Sequence, residues 1–405
     1  MKNAIRPNWT DEPKKTHTLR GTLRPLLFLS TVFGVLPVWC DTLKRNRCRT
    51  CLNWSSCLLV FVGLASFTVF ECVQLYVQFS IRPGLQSIIP NLMWLLPFLV
   101  SAALQFKYTI SASLLMAFLD DWHQLEKNLH TGKENDRSRF VCGAIYLSIL
   151  VIDVISFVSL GFDVTASRGD IKFLSYYPEL NGSFTFPLAV FFQMAVVFWA
   201  KMVRRMFLLI PTYFYYHASL AVRSLNKRIE TSGAFISNVK RPSIDYFEKR
   251  MHSVWSDYMD VSKCIDRANG LFGLAMTLTN FFEFLSLCML VYYSLYELSK
   301  LDLSSGVIYA TNFLVITYQL ALVVLVSSCL PRSCKELRDG LSELFHSQRI
   351  LMSVRERETV NALLEYLDRN RLAASPWNLY TVKPSLLLFM SNLLVTYVAI
   401  LVQSN

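Results

Sequence analysis

The sequence has few charged residues. Asp, Glu, Lys and Arg account for 17% of its 405 residues, whereas soluble domains carry about 25%. It also lacks a phosphate-binding glycine loop and a convincing nucleophile–base arrangement, which leaves enzymatic activity without support. What remains is a chain of 53% apolar residues, and this balance indicates an integral membrane protein.

Cysteine and histidine are not arranged as ligand sets. Of the ten Cys, only Cys48 and Cys51 form a Cys-X-X-Cys pair, and no second pair stands at zinc spacing. The six His all lie in segments that we expect to be cytoplasmic. We therefore expect neither a metal site within the membrane nor a cofactor.

Seven apolar runs approach or exceed the ~20 helical residues that a ~30 Å hydrocarbon core requires. They cover residues 54–79, 87–106, 140–162, 184–199, 271–295, 307–328 and 384–402. The sequence thus predicts an all-α polytopic membrane protein with seven transmembrane helices. An eighth stretch, 26–39, is short and broken by Gly34 and Pro37. It predicts a re-entrant or interfacial helix, with a signal-peptide core as the alternative.

Basic residues set the orientation, because Lys and Arg accumulate on the cytoplasmic side of membrane spans. Of the 40 basic residues, only Arg82, Arg168, Lys172 and Lys300 lie in segments of the opposite side. This places the N-terminus in the cytoplasm and the C-terminus outside, the reverse of a G-protein-coupled receptor. The net charge of +11 then faces the anionic inner leaflet and requires no nucleic acid. Among the Asn-X-Ser/Thr acceptors, only Asn181 is expected outside and glycosylated.

The chain divides into four parts. We assign 1–52 to a cytoplasmic N-terminal segment, 53–330 to the first six spans as a ligand-sensing domain, 331–383 to a cytoplasmic helical anchor region and 384–405 to the last span. Apolar residues continue at helical spacing beyond the sixth span, at Leu337, Leu341, Leu344, Val360, Leu363 and Leu367. We expect such helical extensions to form an intracellular collar, which either joins subunits or packs within one chain.

The last span carries polar residues on one side. At 100° per residue, Thr396, Ile400 and Gln403 lie within about 60° of each other, and Phe389 and Leu393 extend this stripe. An amide so placed indicates more than a membrane anchor. The alternative is that Thr396 and Gln403 hydrogen-bond to other helices and Ile400 packs between them.

Polar residues in the other spans indicate a ligand-binding pocket, since they are costly within a membrane. If they converge between the second and sixth spans, they suit a hydroxylated or cationic small molecule. Polar residues of this kind begin with Glu71 and Gln74 in the first span. The candidates for ligand binding are Asn91, Trp94, Asp153, Gln193, Glu283, Tyr309 and Asn312. Each has an interhelical hydrogen bond as its alternative. Asp153 and Glu283 rank first, because the apolar spans offer no Lys or Arg to pair with them.

Two motifs make the chain resemble the arthropod gustatory receptor family. One is the tail Thr396-Tyr397 followed after five residues by Gln403, and the other is Asn269-Gly270-Leu271-Phe272-Gly273 at the start of the fifth span. The early segments 24–27 and 34–37 are similar to the family's entry segment. The family pattern usually ends Gln-Phe, where this chain has Ser404.

The resemblance implies a ligand-gated, weakly selective cation channel of the plasma membrane, built from four identical or related subunits. The last span would line the pore, so that four copies stack rings of Ile400 and Gln403. An apolar Ile400 ring can close a pore by dewetting, and amides of Gln403 can contact ions at its outer end, with Thr396 on the same face. The ligand would be a small tastant such as a sugar, a bitter compound or a nutrient. A G-protein-coupled chemoreceptor and a carrier without a pore are the alternatives.

Overall fold

The computed structural model describes most of the chain. It covers residues 47–81, 85–129, 185–238, 244–296, 303–349 and 352–404, with Leu19, Leu23, Leu27, Phe28, Thr31, Gly34, Ser148 and Val151. Eight α-helices and no strand occur in these ranges. They are α1 (Arg47–Ile81), α2 (Leu85–Ile110), α3 (Ala112–Leu129), α4 (Thr185–Asn238), α5 (Ile244–Tyr296), α6 (Leu303–Gln348), α7 (Val354–Arg369) and α8 (Pro384–Ser404).

Six of the seven predicted spans coincide with α1, α2, α4, α5, α6 and α8. The third, 140–162, lies outside the described residues apart from Ser148 and Val151. By length and composition, three described helices qualify as membrane spans, and α2 and α3 together, bent by 68°, form a fourth candidate. α8 contributes a shorter apolar helix, Pro384–Ile400. The all-helical polytopic fold that the apolar runs predict is therefore confirmed.

The predicted helical extensions are also confirmed. α4, α5 and α6 are single helices of 54, 53 and 46 residues, more than twice the ~20 residues that a bilayer requires. Proline occurs within two of them, at Pro211 and Pro331. α7 then begins with a capping box, in which Ser353 and Glu356 satisfy each other's backbone N–H groups.

α4 packs against α2, α5 and α6 and lies at the centre of the molecule. Where it meets α3 and α5, the ring of Phe214 lies 5.0 Å from Phe118, 4.8 Å from Trp122 and 6.1 Å from Phe272, measured between centroids. Aromatic rings at these separations contribute more than the area they bury. This cluster joins three helices in the core of the fold.

α4 and α5 run antiparallel in one constant register. Arg204 pairs with Glu283 at 3.3 Å, the Tyr215 hydroxyl donates to Asn269 at 2.6 Å, and Arg228 pairs with Asp257 at 2.6 Å. As the residue number rises along α4, it falls by a nearly equal amount along α5. The two helices therefore remain in contact over about 36 Å, at 1.5 Å per residue.

A buried carboxylate joins the N-terminal segment to this core. Glu126 of α3 accepts a hydrogen bond from the backbone N–H of Leu19 at 2.8 Å, and its other oxygen lies 3.1 Å from His217 Nδ1 of α4. The side chains of Leu19, Leu23 and Leu27 are at most 1% exposed. Their spacing of four residues indicates one helical face turned towards the core.

Candidate pore helix and its linker

α8 is attached to the rest of the chain along one side. It contacts α5 and α6, and Leu386 and Leu387 pack against the core. Tyr397 is half-buried and lies close enough to Cys288 and Tyr292 of α5 to interact with them electrostatically. Many residues on the other sides of this apolar helix are exposed.

The predicted stripe lies on the open part of α8. Phe389 is 60% exposed, Leu393 42% and Ile400 58%, and Thr396 and Gln403 are exposed as well. The Thr396 hydroxyl donates to the Asn392 carbonyl of its own helix at 2.9 Å. All three predicted pore residues thus share one accessible face, on which lipid or further copies of the chain can pack.

The linker, residues 370–383, connects α7 to α8 and is bound to α5 by Asn269. Asn269 Oδ1 accepts from the Ser375 backbone N–H at 2.9 Å and from the Tyr215 hydroxyl at 2.6 Å. Its Nδ2 donates to the Ala373 carbonyl at 3.3 Å. One buried amide therefore connects α4, α5 and the linker.

Trp377 occupies the tightest part of the linker. Its φ of 50° and the φ of 57° at Asn378 are left-handed, a conformation that costs most residues about 1–2 kcal/mol. A Cβ built on Gly273 would lie 2.6 Å from Trp377 Cδ1, so a bare glycine is required for this approach. Lys107 of α2 lies 5.8 Å from the centre of the Trp377 ring and donates to the Leu271 carbonyl at 3.0 Å.

Two further bonds complete the attachment of the linker. The Tyr258 hydroxyl donates to the Asn370 carbonyl at 3.0 Å, and Asn280 Nδ2 donates to the Tyr380 hydroxyl at 3.2 Å. With Asn269 and Gly273, these α5 residues follow one another at intervals of 11, 4 and 7 positions, which keeps them on one face of the helix. Sequence reasoning noted the Asn269–Gly273 motif but missed its contacts with the linker, because those partners lie about 100 residues away.

Glu283 corrects one expectation from the sequence. It is buried and pairs with Arg204 at 3.3 Å, and Arg204 also lies over the Phe282 ring at 4.3 Å. The expectation that no Lys or Arg reaches the carboxylates of the spans is therefore wrong for Glu283. The fourth apolar run ends before Lys201, but the helix α4 continues beyond it. Arg204 therefore reaches Glu283, which lies about 18 Å along α5 from Leu271, the first residue of the fifth apolar run.

The remaining ligand candidates are less fully described. Asn312 is half-buried on α6. The backbones of Asn91, Trp94, Gln193 and Tyr309 are helical, in α2, α4 and α6, but their side chains lie outside the described part of the structure. Asp153 and the glycosylation candidate Asn181 lie outside the described residues altogether.

Long helices that exceed the thickness of a bilayer, with a final apolar helix that carries an open stripe, are typical of a polytopic membrane protein of receptor or channel type. The family described as 7tm Chemosensory receptor matches residues 23–405. The chain belongs to this family of chemosensory receptors, which is not a family of enzymes.

Solved structures share the fold. The insect olfactory receptor OR5 from Machilis hrabei superposes with a TM-score of 0.71 at 13% identity, over 96% of this chain and 99% of that chain. The same receptor in complex with eugenol gives a TM-score of 0.70 at 13% identity and the same coverage. No curated protein sequence matches this chain.

Proposed function

We propose that this chain is a gustatory receptor subunit that forms a ligand-gated, weakly selective cation channel in the plasma membrane. The observation that carries the proposal is the open face of α8, on which Thr396, Ile400 and Gln403 lie together. Four copies arranged around an axis would bury this face and stack Ile400 as the gate, with Gln403 as the outer ion contact. The assembly is a homotetramer or a mixture with related subunits.

The ligand in this proposal is a small tastant that binds from the outside. The solved olfactory receptor complex holds eugenol, which supports a small organic molecule as the kind of ligand for this fold. We propose Asn91, Trp94, Asp153, Gln193, Tyr309 and Asn312 as the lining of the pocket. Because Glu283 already has a cationic partner, its role in this proposal is to hold α4 against α5.

The pore assignment predicts a large effect of Ile400→Ala. Removing most of the apolar gate is expected to raise the ligand-free cation current about tenfold, the effect of ~1.4 kcal/mol on the closed-to-open equilibrium. Gln403→Ala is expected to change relative cation permeability instead. Both are measured as whole-cell currents, normalised to receptor at the cell surface, while sugars, bitter alkaloids and eugenol are screened.

The matched control is Val395→Ala, which shortens an exposed side chain (67% exposed) about 140° from Ile400 and about 80° from Gln403 around α8. It is expected to leave both the resting current and the permeability unchanged. Equal behaviour of Ile400→Ala, Gln403→Ala and this control would contradict the pore assignment. Ligand responses without any current would instead favour a G-protein-coupled receptor. A monomeric protein that gives no current with any ligand would favour a carrier.

The proposed orientation predicts that Asn181 alone carries glycan. The change is Asn181→Gln, compared with Asn8→Gln and Asn53→Gln as matched controls. Only the first is expected to abolish the mobility shift that glycosidase treatment produces on a denaturing gel. A shift that depends on Asn8 would place the N-terminus outside and reverse the topology.

A further inference from the structure

Gly273 and Trp377 form a contact that the pore assignment does not use. A Cβ at Gly273 would lie 2.6 Å from Cδ1, 2.8 Å from Cγ and 2.9 Å from the backbone N of Trp377. Because one of these atoms belongs to the backbone, a rotation of the indole alone does not make room for a methyl group. The linker itself would have to move away from α5.

The linker has little freedom to absorb such a movement. Trp377 and Asn378 are both left-handed, and a strained backbone of this kind persists only where the surroundings hold it. Asn269 fixes the linker on one side of Trp377, and Asn280 fixes Tyr380 on the other. The linker between these attachments therefore moves as one piece, and its end leads directly to Pro384, where α8 begins.

We propose that Gly273 and Trp377 are the positioning residues through which α5 sets the resting position of the pore helix. This inference rests on the proposed function, because it takes α8 as the pore helix. α4 and α5 share a buried ion pair, so a shift of the ligand-sensing helices reaches Gly273 through α5. Close packing on Trp377 then holds α8, and with it Ile400, in the closed arrangement.

The test compares Gly273→Ala with Gly270→Ala in the full chain. Both replacements remove the conformational freedom of a helical glycine, but a Cβ at Gly270 meets nothing within 4 Å. With no ligand present, Gly273→Ala is expected to raise the resting cation current about fivefold or more over Gly270→Ala, per receptor at the cell surface.

Trp377→Gly supplies the rescue. It removes the indole and relaxes the left-handed backbone, so the linker can yield to the new methyl group. In this background, Gly273→Ala is expected to change the resting current less than twofold. A purely structural effect of Gly273→Ala would persist in both backgrounds, since it would not depend on the indole.

The outcomes separate the inference from the proposed function. If Ile400→Ala conducts without ligand and Gly273→Ala equals Gly270→Ala, the inference is overturned and the channel stands. If no variant conducts under any condition, the pore assignment fails and the inference fails with it. If Gly273→Ala does not reach the surface, the test compares the resting current of Trp377→Gly with that of its matched control, Leu379→Ala, at an exposed linker position. Equal resting currents overturn the inference. A resting current that is raised in Trp377→Gly alone supports it.

Discussion

Replacing Glu283 with leucine is expected to destabilise the receptor by about 3–5 kcal/mol, the cost of leaving one charge of a buried pair without its partner. The charge left behind is Arg204, whose guanidinium stays protonated at any accessible pH. The double variant Arg204→Leu with Glu283→Leu is expected to regain most of this loss, because two apolar side chains suit the interior. The stability of both variants is measured by thermal unfolding of the purified receptor, monitored by size-exclusion chromatography.

Arg204→Leu alone is expected to be milder than Glu283→Leu. The carboxylate it leaves behind can take up a proton, and Lys201 and Arg205 are close enough to interact with its charge. The matched control is Glu365→Leu, which breaks an exposed ion pair with Arg369 on α7 and is expected to have an effect near zero. A double variant as unstable as Glu283→Leu would show that the two side chains do not act as a pair.

Asn269→Ala is expected to destabilise the receptor by about 2–4 kcal/mol, because it leaves the Tyr215 hydroxyl and the Ser375 N–H without their recorded acceptor. The measurement is again thermal unfolding of the purified protein. Asn361→Ala, at an exposed position of α7, is the control for an Asn-to-Ala change in a helix and should leave the melting temperature unchanged. Equal melting temperatures of the two variants would show that the linker does not depend on Asn269.

The linker also gives Asn269→Ala a local signature. Since the amide fixes residues 373 and 375, proteolysis of the native receptor is expected to cut the linker faster in this variant. A uniform increase in cleavage along the whole chain would instead indicate global unfolding.

The sequence predicts the helices well because their signal is local. Runs of apolar residues mark the spans, and the spacing of Leu337, Leu341 and Leu344 predicts that α6 continues beyond the sixth apolar run. All three are buried as that spacing requires. The exposed stripe of α8 follows in the same way from the angles between Thr396, Ile400 and Gln403. Such patterns need only neighbours within a few turns.

Pairings between distant helices are not local, and there sequence reasoning fails. Because the fourth apolar run ends before Lys201, the pattern does not pair Arg204 with Glu283, which lies 79 positions further along the chain. Nothing in one sequence connects these two residues. The left-handed Trp377 is equally hidden, because it packs against Gly273, which lies 104 positions earlier in the chain.

The constant register of α4 and α5 restricts how the receptor can move. A slide of one helix past the other by a turn, about 5.4 Å, would break the contacts of Arg204, Tyr215 and Arg228 at once. A joint tilt breaks none of them. Motions that preserve these contacts are therefore those in which the two helices move together as one unit.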